Sequence, residues 1–304
     1  MNKIQKDEIS HELKSFTKEE IEEDYNHLME LGKKQTWLPI DYNRKYGMNT
    51  VDFFTFTERL NTKGNKNVTF FEMLEHTKEL KTKHYVKNIF THYAKTRPNM
   101  NKLDIWYRIF SLYFGSINQF RPVIAMRIYR MFYSKPLHIL DFTMGWGGRA
   151  ISACATPNIV SYTGIDLNTE LRAPYRKLKT FLNKHNTNNT ELTFLFQDAL
   201  TVDYTKIYYN LVFTSPPYYD TEIYQGSSSY ASKEDWRDLF YIPLFTKTMK
   251  GLCKGGWYCL NIPISIYDDI CLPLFGKADK KIPLAIHLRE PTYTYKEFIY
   301  MWKK

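Results

Sequence analysis

No uninterrupted apolar run of about 18 or more residues occurs in the sequence, so it offers no helix to cross a membrane. The first ten residues, MNKIQKDEIS, are polar and charged rather than apolar. They lack the pattern of a secretory signal, and the expectation is a reducing, cytoplasmic protein in the compartment that holds DNA. Cysteine is scarce. Cys154, Cys253, Cys259 and Cys271 show neither CxxC spacing nor the histidines of a zinc site, and they read as reduced thiols. Neither the GxGxxG fingerprint of dinucleotide sites nor a GKS or GKT phosphate loop is present. Internal repeats and low-complexity blocks are also missing, which excludes a solenoid.

What the chain does contain is a core-sized apolar fraction and a surplus of positive charge. Its 304 residues are 43% hydrophobic, enough for one large or two modest domains. The formal net charge is +10 and 16% of residues are aromatic. That combination suits a polyanionic partner held by charge and by stacking. The richness in Lys, Asn, Tyr and Ile is also what an AT-rich genome produces unaided.

Residues 1–115 read as a helical extension. The first dozen look flexible. Thr17 with Glu20 forms a capping box for a helix to about Gly32, and a shorter helix covers Val51 to Leu60. The stretch from Asn61 to Asn67 is a polar loop. Thr69 with Glu72 caps a long helical stretch that ends by Pro98. A further amphipathic helix from Leu103 to Phe114 puts Ile105, Ile109, Leu112 and Tyr113 on one side. No nucleotide site is visible here, so the region is assigned to target recognition or partner binding.

Residues 116–304 differ in character. Short apolar runs, LHILDF, VSYTGID, LTFLF, NLVFT, GWYCLNI, IPLAIHL and KEFIYMW, alternate with helical patterns after Gly148, from Glu170 to Lys184 and from Ser232 to Lys250. This is the signature of an α/β fold with a doubly wound, mostly parallel sheet.

The first run ends in Asp141, Phe142, Thr143, Met144, Gly145, Trp146, Gly147, Gly148 and Arg149 before a helix begins. An acid at a strand tip followed by a glycine turn is a nucleotide-type site, because glycines let a ligand approach the backbone. The second run ends at Asp166 and Leu167, placing a carboxylate where both ribose hydroxyls of an adenosine can donate to it. The third leads to Asp198 and Ala199, where an acid can accept from an adenine amino group. With no phosphate-binding signature, an adenosyl ligand without a phosphate chain fits best.

The fourth run leads into Thr214, Ser215, Pro216, Pro217, Tyr218, Tyr219 and Asp220. Two prolines fix two φ angles and remove two donors, so the loop holds the Ser215 hydroxyl, nearby carbonyls and the Tyr218 ring in a set arrangement. Such a loop can clamp a planar amino-substituted ring. A proline-stiffened surface turn would look the same.

Taken in order, these motifs resemble the S-adenosylmethionine-dependent DNA amino-methyltransferases over about Ile117 to Lys304. Asp141, Thr143, Gly145, Gly147 and Gly148 resemble the family's DPTxGxGG loop, with Phe142 in place of the usual proline. Asp166 and Leu167 are similar to the ribose motif, Asp198 and Ala199 to the adenine motif, and Thr214 to Tyr218 to the catalytic TSPPY. Phe120 and Pro122 resemble the FxP element beside the cofactor. The resemblance implies a seven-stranded sheet with an antiparallel last strand, S-adenosylmethionine as cofactor, and double-stranded DNA as partner.

It also implies direct transfer of a methyl group to an exocyclic amine of a flipped base, with Ser215 and the Pro216 carbonyl accepting the amine hydrogens and Tyr218 stacking on the ring. No ProCys pair occurs, which excludes the usual chemistry at cytosine C5. Serine in this loop favours cytosine N4 over adenine N6. A same-fold methyltransferase for RNA or a protein amide is one rival. A non-catalytic nucleic-acid-binding subunit is another, kept open by the bulk of Phe142 and Trp146.

Overall fold

The computed structural model describes residues 1–34, 44–64, 66–115, 117–132, 134–219, 222–223 (backbone only), 230, 232–284 and 297–304. The N-terminal part comprises α1 (Lys3–Leu13), α2 (Lys18–Lys33), α3 (Met48–Leu60), strand β1 (Lys63–Gly64), α4 (Phe70–Glu75), α5 (Thr77–Leu80), α6 (His84–Thr96) and α7 (Lys102–Ile109). A π-helical turn, Phe110–Gly115, leads to α8 (Pro122–Arg130).

Strands and helices then alternate: β2 (Leu137–Asp141), α9 (Gly148–Ala155), β3 (Ile159–Asp166), α10 (Arg172–His185), β4 (Glu191–Phe196) and β5 (Leu211–Thr214). After β6 (Glu222–Ile223) come α11 (Lys233–Asp235), α12 (Ile242–Gly251), β7 (Trp257–Pro263), α13 (Ile264–Ile266), α14 (Leu272–Phe275), β8 (Lys280–Pro283) and β9 (Glu297–Lys303). The main sheet has seven strands in the order β4-β3-β2-β5-β7-β9-β8. β9 runs antiparallel to both neighbours while the other pairings are parallel. The doubly wound sheet and its antiparallel last strand are as anticipated.

Alternation along each strand builds a core on either face, because successive side chains point to opposite sides. Ile139, Leu211, Phe213, Cys259 and Met301 share one core with α8, α9 and α10. Leu140, Val212, Tyr258, Leu260 and Trp302 share the other with α12. Tyr25 and Leu28 of α2 and Val51 of α3 belong to the first core, which therefore runs across residue 115. A third core, around Phe56, Phe70, Val86, Trp106 and Ile109, is made by the N-terminal helices themselves.

Both anticipated capping boxes are present, at Thr17 with Glu20 and at Thr69 with Glu72. Three readings of the N-terminal region are corrected. The first dozen residues form α1, because Asn2 and Gln5 cap it reciprocally and Ile9 and Leu13 pack on the third core. The long helix before Pro98 is three pieces; near the second break the Thr82 hydroxyl bonds to the Glu79 carbonyl, 2.7 Å away, competing with helical pairing. Leu112 and Tyr113 are 62% and 44% exposed, because the wider π turn rotates them away from the face that buries Ile105 and Ile109. In addition, the polar loop after Asn61 contributes β1, which pairs with β6 just beyond the TSPPY loop. The described residues hold no helix long and apolar enough to cross a membrane.

Close packing of α2 on α9 is fixed at Gly32, where an added Cβ would lie 2.0 Å from the Ala155 carbonyl oxygen. Gly32→Ala should therefore destabilise the whole protein by about 1–3 kcal/mol through overpacking. Denaturant unfolding checks this; an unchanged midpoint would show that α2 is not built into the α/β core.

Candidate active site

The site forms at the C-terminal edge of the sheet, where β2 has β3 on one side and β5 on the other. This is the switch point of the strand order, where an open α/β sheet leaves a crevice. β2 delivers Asp141 there, fully buried. Its carboxylate accepts from Arg149 Nε at 2.6 Å and Nη2 at 3.2 Å, from Thr214 Oγ1 at 2.7 Å and from the Tyr162 hydroxyl. Burial first, and the Asp141 charge second, push the Tyr162 hydroxyl far up in pKa, so it remains a donor. Asp141 thus spends its oxygens on protein groups, and by doing so ties the glycine turn, β3 and β5 together.

The turn itself follows from its glycines. Gly145 and Gly147 have φ of +59° and +99°, a region that disfavours side chains. A Cβ on Gly145 would meet no atom within 4 Å, so this residue faces open space. A Cβ on Gly148 would lie 2.1 Å from the Phe120 carbonyl oxygen, which is how closely the FxP segment packs on the turn. The Phe120 ring lies under the Arg149 guanidinium at 5.2 Å, and Pro122 opens α8 at its first turn.

At the tip of β3, Asp166 accepts from the backbone N–H of Gly145 at 2.8 Å and of Asn168 at 2.9 Å. Desolvation outweighs these bonds and pushes its carboxyl up to about 6. Leu167, beside it, is exposed. Asp198 caps the short turn after β4 by accepting from Leu200 N–H at 2.9 Å, and Ala199 is buried beneath it. These residues line up along three adjacent strand tips.

The two bulky residues turn inward. Phe142 is buried in the second core, 6.1 Å from Phe245 and 6.4 Å from Tyr258 between ring centroids. Trp146 is buried in the first core, and its carbonyl accepts from the Thr55 hydroxyl at 3.1 Å. Neither ring is available to block the crevice.

The TSPPY loop is bonded directly to the glycine turn. Thr143 Oγ1 lies 2.6 Å from Thr214 Oγ1 and donates to the Ser215 carbonyl at 3.2 Å. Pro216 is buried. The buried Tyr241 hydroxyl holds the far side of the loop, donating to the Pro217 carbonyl and accepting from Tyr219 N–H at 3.2 Å. Tyr219 takes a positive φ of +50°. Such a backbone persists only where its surroundings enforce it. Asp220 and most of the segment from Gly226 to Ser232 lie outside the described residues, although Ser232 caps α11 through Asp235 as read from the sequence.

Two residues missed by sequence reasoning complete this loop. Asn261 of β7 donates from Nδ2 to Ser215 Oγ at 3.1 Å and to the Tyr218 oxygen at 2.7 Å. Glu297, at the start of β9, accepts from the Tyr218 hydroxyl at 2.6 Å and also from Asn261 Nδ2. Ser215 Oγ and the Tyr218 hydroxyl are 2.9 Å apart. Asn261 Oδ1 is buried with no partner among the described residues. An orphaned acceptor of this kind costs about 1–3 kcal/mol unless something donates to it. No local motif announces Asn261 or Glu297; only the antiparallel register, Pro263 opposite Glu297, brings them to Ser215.

No family model matches the chain, and no curated protein does. Solved structures of similar arrangement include TrmN from Thermus thermophilus, 16% identical with a TM-score of 0.41, covering 61% of this chain and 49% of that one. The M. jannaschii tRNA m1G37 methyltransferase is 14% identical with a TM-score of 0.40, again covering 61% and 49%. A putative RNA methyltransferase from Pyrococcus horikoshii is 11% identical with a TM-score of 0.40, covering 61% of this chain and 86% of that one. This chain spans about half the length of the first two. Similarity of this depth says nothing about which reaction or polymer the chain handles.

Two outcomes follow from the geometry. Asp141→Ala leaves the buried Arg149 guanidinium uncompensated and should lower stability by about 3–5 kcal/mol, read by denaturant unfolding. A loss under about 1 kcal/mol would mean that the cluster does not hold the site together. For Asp166 the sign follows from its raised pKa: the carboxyl is protonated below about 6 and ionised above it. A ligand that donates hydroxyls needs the ionised form. Affinity for an adenosyl ligand, measured by calorimetry, should weaken as pH falls through about 6 and be flat above it, whereas Asp166→Asn should be weak and flat throughout.

Proposed function

We propose that this chain is an S-adenosylmethionine-dependent methyltransferase acting on an exocyclic amino group of a nucleobase. The observation that carries the reading is the direct hydrogen-bonded joint between the glycine turn and the TSPPY loop, through Thr143, Thr214 and Asp141. Transfer in one step requires donor and acceptor sites that are neighbours of fixed geometry.

The residues present fit the cofactor. The open side of Gly145, the desolvated Asp166 carboxylate, the exposed Leu167 and the turn at Asp198 and Ala199 offer backbone access, hydroxyl acceptors and an apolar surface in the order a methionine-ribose-adenine chain needs. When bound, it would supply an electrophilic methyl group on sulfur.

The chain's own residues would then present the amine. Glu297 can only accept when ionised, so it takes the Tyr218 O–H; Ser215 is left to donate its proton to the Tyr218 oxygen. With one lone pair of Ser215 Oγ accepting from Asn261 Nδ2, the other is left for an incoming N–H. With the Pro216 carbonyl as second acceptor, the amine is held with its lone pair free, and the proton lost after transfer passes to water. Tyr218 is half-buried, and its ring provides the stacking surface.

Serine at position 215 favours cytosine N4, with adenine N6 as the alternative, and DNA is the polymer that the TSPPY resemblance implies. RNA is the second reading, because the same loop chemistry can hold the amino group of an RNA base.

The test exposes duplex DNA, RNA and protein to the chain with labelled cofactor, then separates modified nucleosides by mass spectrometry. N4-methylcytosine in DNA is expected. Label only in RNA would transfer the proposal to that polymer, and cofactor binding without transfer to any of the three would leave a non-catalytic subunit. Ser215→Ala should lower kcat by about 10²-fold while leaving cofactor affinity within about twofold. Glu297→Gln should lower kcat similarly, because a glutamine can donate to Tyr218 and reverse the chain of hydrogen bonds; retention of full activity would remove Glu297 from the mechanism.

A further inference from the structure

The segment from His76 to Arg108 holds eight Lys and Arg against two acids, a net +6 of the protein's +10. Lys78, Lys81, Lys87, Lys95, Arg97 and Lys102 are all exposed, and none has a carboxylate within 4 Å among the described residues. Lys83 caps the start of α6, and Lys87 and Lys95, eight residues apart, lie on the part of α6 turned away from the third core. α6 packs on the third core through Val86, Ile89, Phe90 and Tyr93. At about 1.5 Å per helical residue the basic stripe is roughly 18 Å long. Cations held this close repel one another, and among the described residues only Glu79, 4.0 Å from Lys83, supplies a counter-charge. A partner rich in regularly spaced anions supplies the rest.

The second observation is one of position. β1 enters this helical unit and pairs antiparallel with β6, Lys63 opposite Ile223 and Gly64 opposite Glu222, immediately after the TSPPY loop. The pairing is close on its other side too: a Cβ on Gly64 would lie 2.3 Å from the Gly115 carbonyl oxygen, at the end of the π turn that follows α7. The helical unit is thereby joined by backbone to the exit of the loop that would hold the target base.

We infer that the exposed face of α5, α6 and the start of α7 binds the phosphodiester backbone of the nucleic acid whose base enters the TSPPY loop. The inference rests on the proposed function only for what lies at the far end of that strand. Phosphate contacts of this kind position a polymer without reading its sequence, so the face sets where the substrate lies and the loop sets which base reacts.

Salt dependence of binding gives the test. Fluorescence anisotropy with a labelled 20-base-pair DNA duplex and, separately, a labelled RNA stem-loop would be followed against salt for the full chain. The variant Lys81→Ala, Lys87→Ala, Lys95→Ala, Arg97→Ala should bind at least tenfold more weakly at low salt. Its slope of log affinity against log salt should be shallower by about 3 to 4 on duplex DNA. Alanine is the residue helices tolerate best, and unchanged cofactor affinity by calorimetry shows that the variant is folded. A comparison variant that removes three cations elsewhere, Arg176→Ala, Lys177→Ala, Lys184→Ala on α10, should keep the wild-type slope.

An unchanged slope in the α6 variant would overturn the inference. An equal loss in both variants would overturn it as well, because net charge rather than this face would then govern binding. So would a wild-type chain that binds neither polymer but does bind acidic peptide or anionic vesicles. Binding through α6 without methyl transfer to any substrate would uphold this inference while removing the proposed function.

Discussion

The buried pair of Asp141 and Arg149 is the constraint on which the site depends. A carboxylate taken entirely out of water needs its charge matched and its oxygens filled, and here a bidentate guanidinium, a tyrosine and a threonine do so. The partners come from α9, β3 and β5. Satisfying one acid therefore fixes three elements relative to β2, and Arg149 passes the constraint on by also donating to the Thr143 carbonyl. The glycine turn and the TSPPY loop hold their relative position through this cluster, with Thr143 and Thr214 as the joint.

The same logic of shared partners governs the loop from above. Tyr241 clamps one side of it and the Asn261–Glu297 pair the other. Two prolines remove two of the loop's backbone donors, and these outside groups, with Tyr219 in a left-handed backbone, hold its conformation. The antiparallel β9 has a chemical consequence here. A parallel strand would present its C-terminal end at this edge, but β9 presents its first residue, Glu297, opposite Pro263.

Elements governed by local chemistry were legible in the sequence. Capping boxes at Thr17 and Thr69, the acid-tipped strands and the glycine turn each depend on residues within a few positions of one another, and all are found. The alternation of strands and helices that makes the sheet doubly wound was legible for the same reason. What was not legible depends on distant partners. Asn261 and Glu297 meet Ser215 only through strand register. The backbone pairing of β1 with β6 joins residues about 160 positions apart and has no sequence signature in either. The π turn after Ile109 is a third kind of miss: a helical period of 3.6 assumes an unbroken turn, and one widened turn reassigns Leu112 and Tyr113 to solvent.

Two acids one strand apart show how environment, rather than identity, assigns a role. Asp141 and Asp166 both end strands that lead to the crevice, and either could be read as a ligand contact. Asp141 has a full positive charge against it and two further elements tied to its oxygens. It has little left to offer a ligand, and its removal would be felt as instability. Among the described residues Asp166 has two backbone N–H donors, which do not offset its desolvation, and its carboxyl is held up at about 6. A carboxylate short of donors gains more from a hydroxyl than one already satisfied does. The polar demand of the crevice is therefore concentrated at the tip of β3, one strand away from the charge that holds the crevice open.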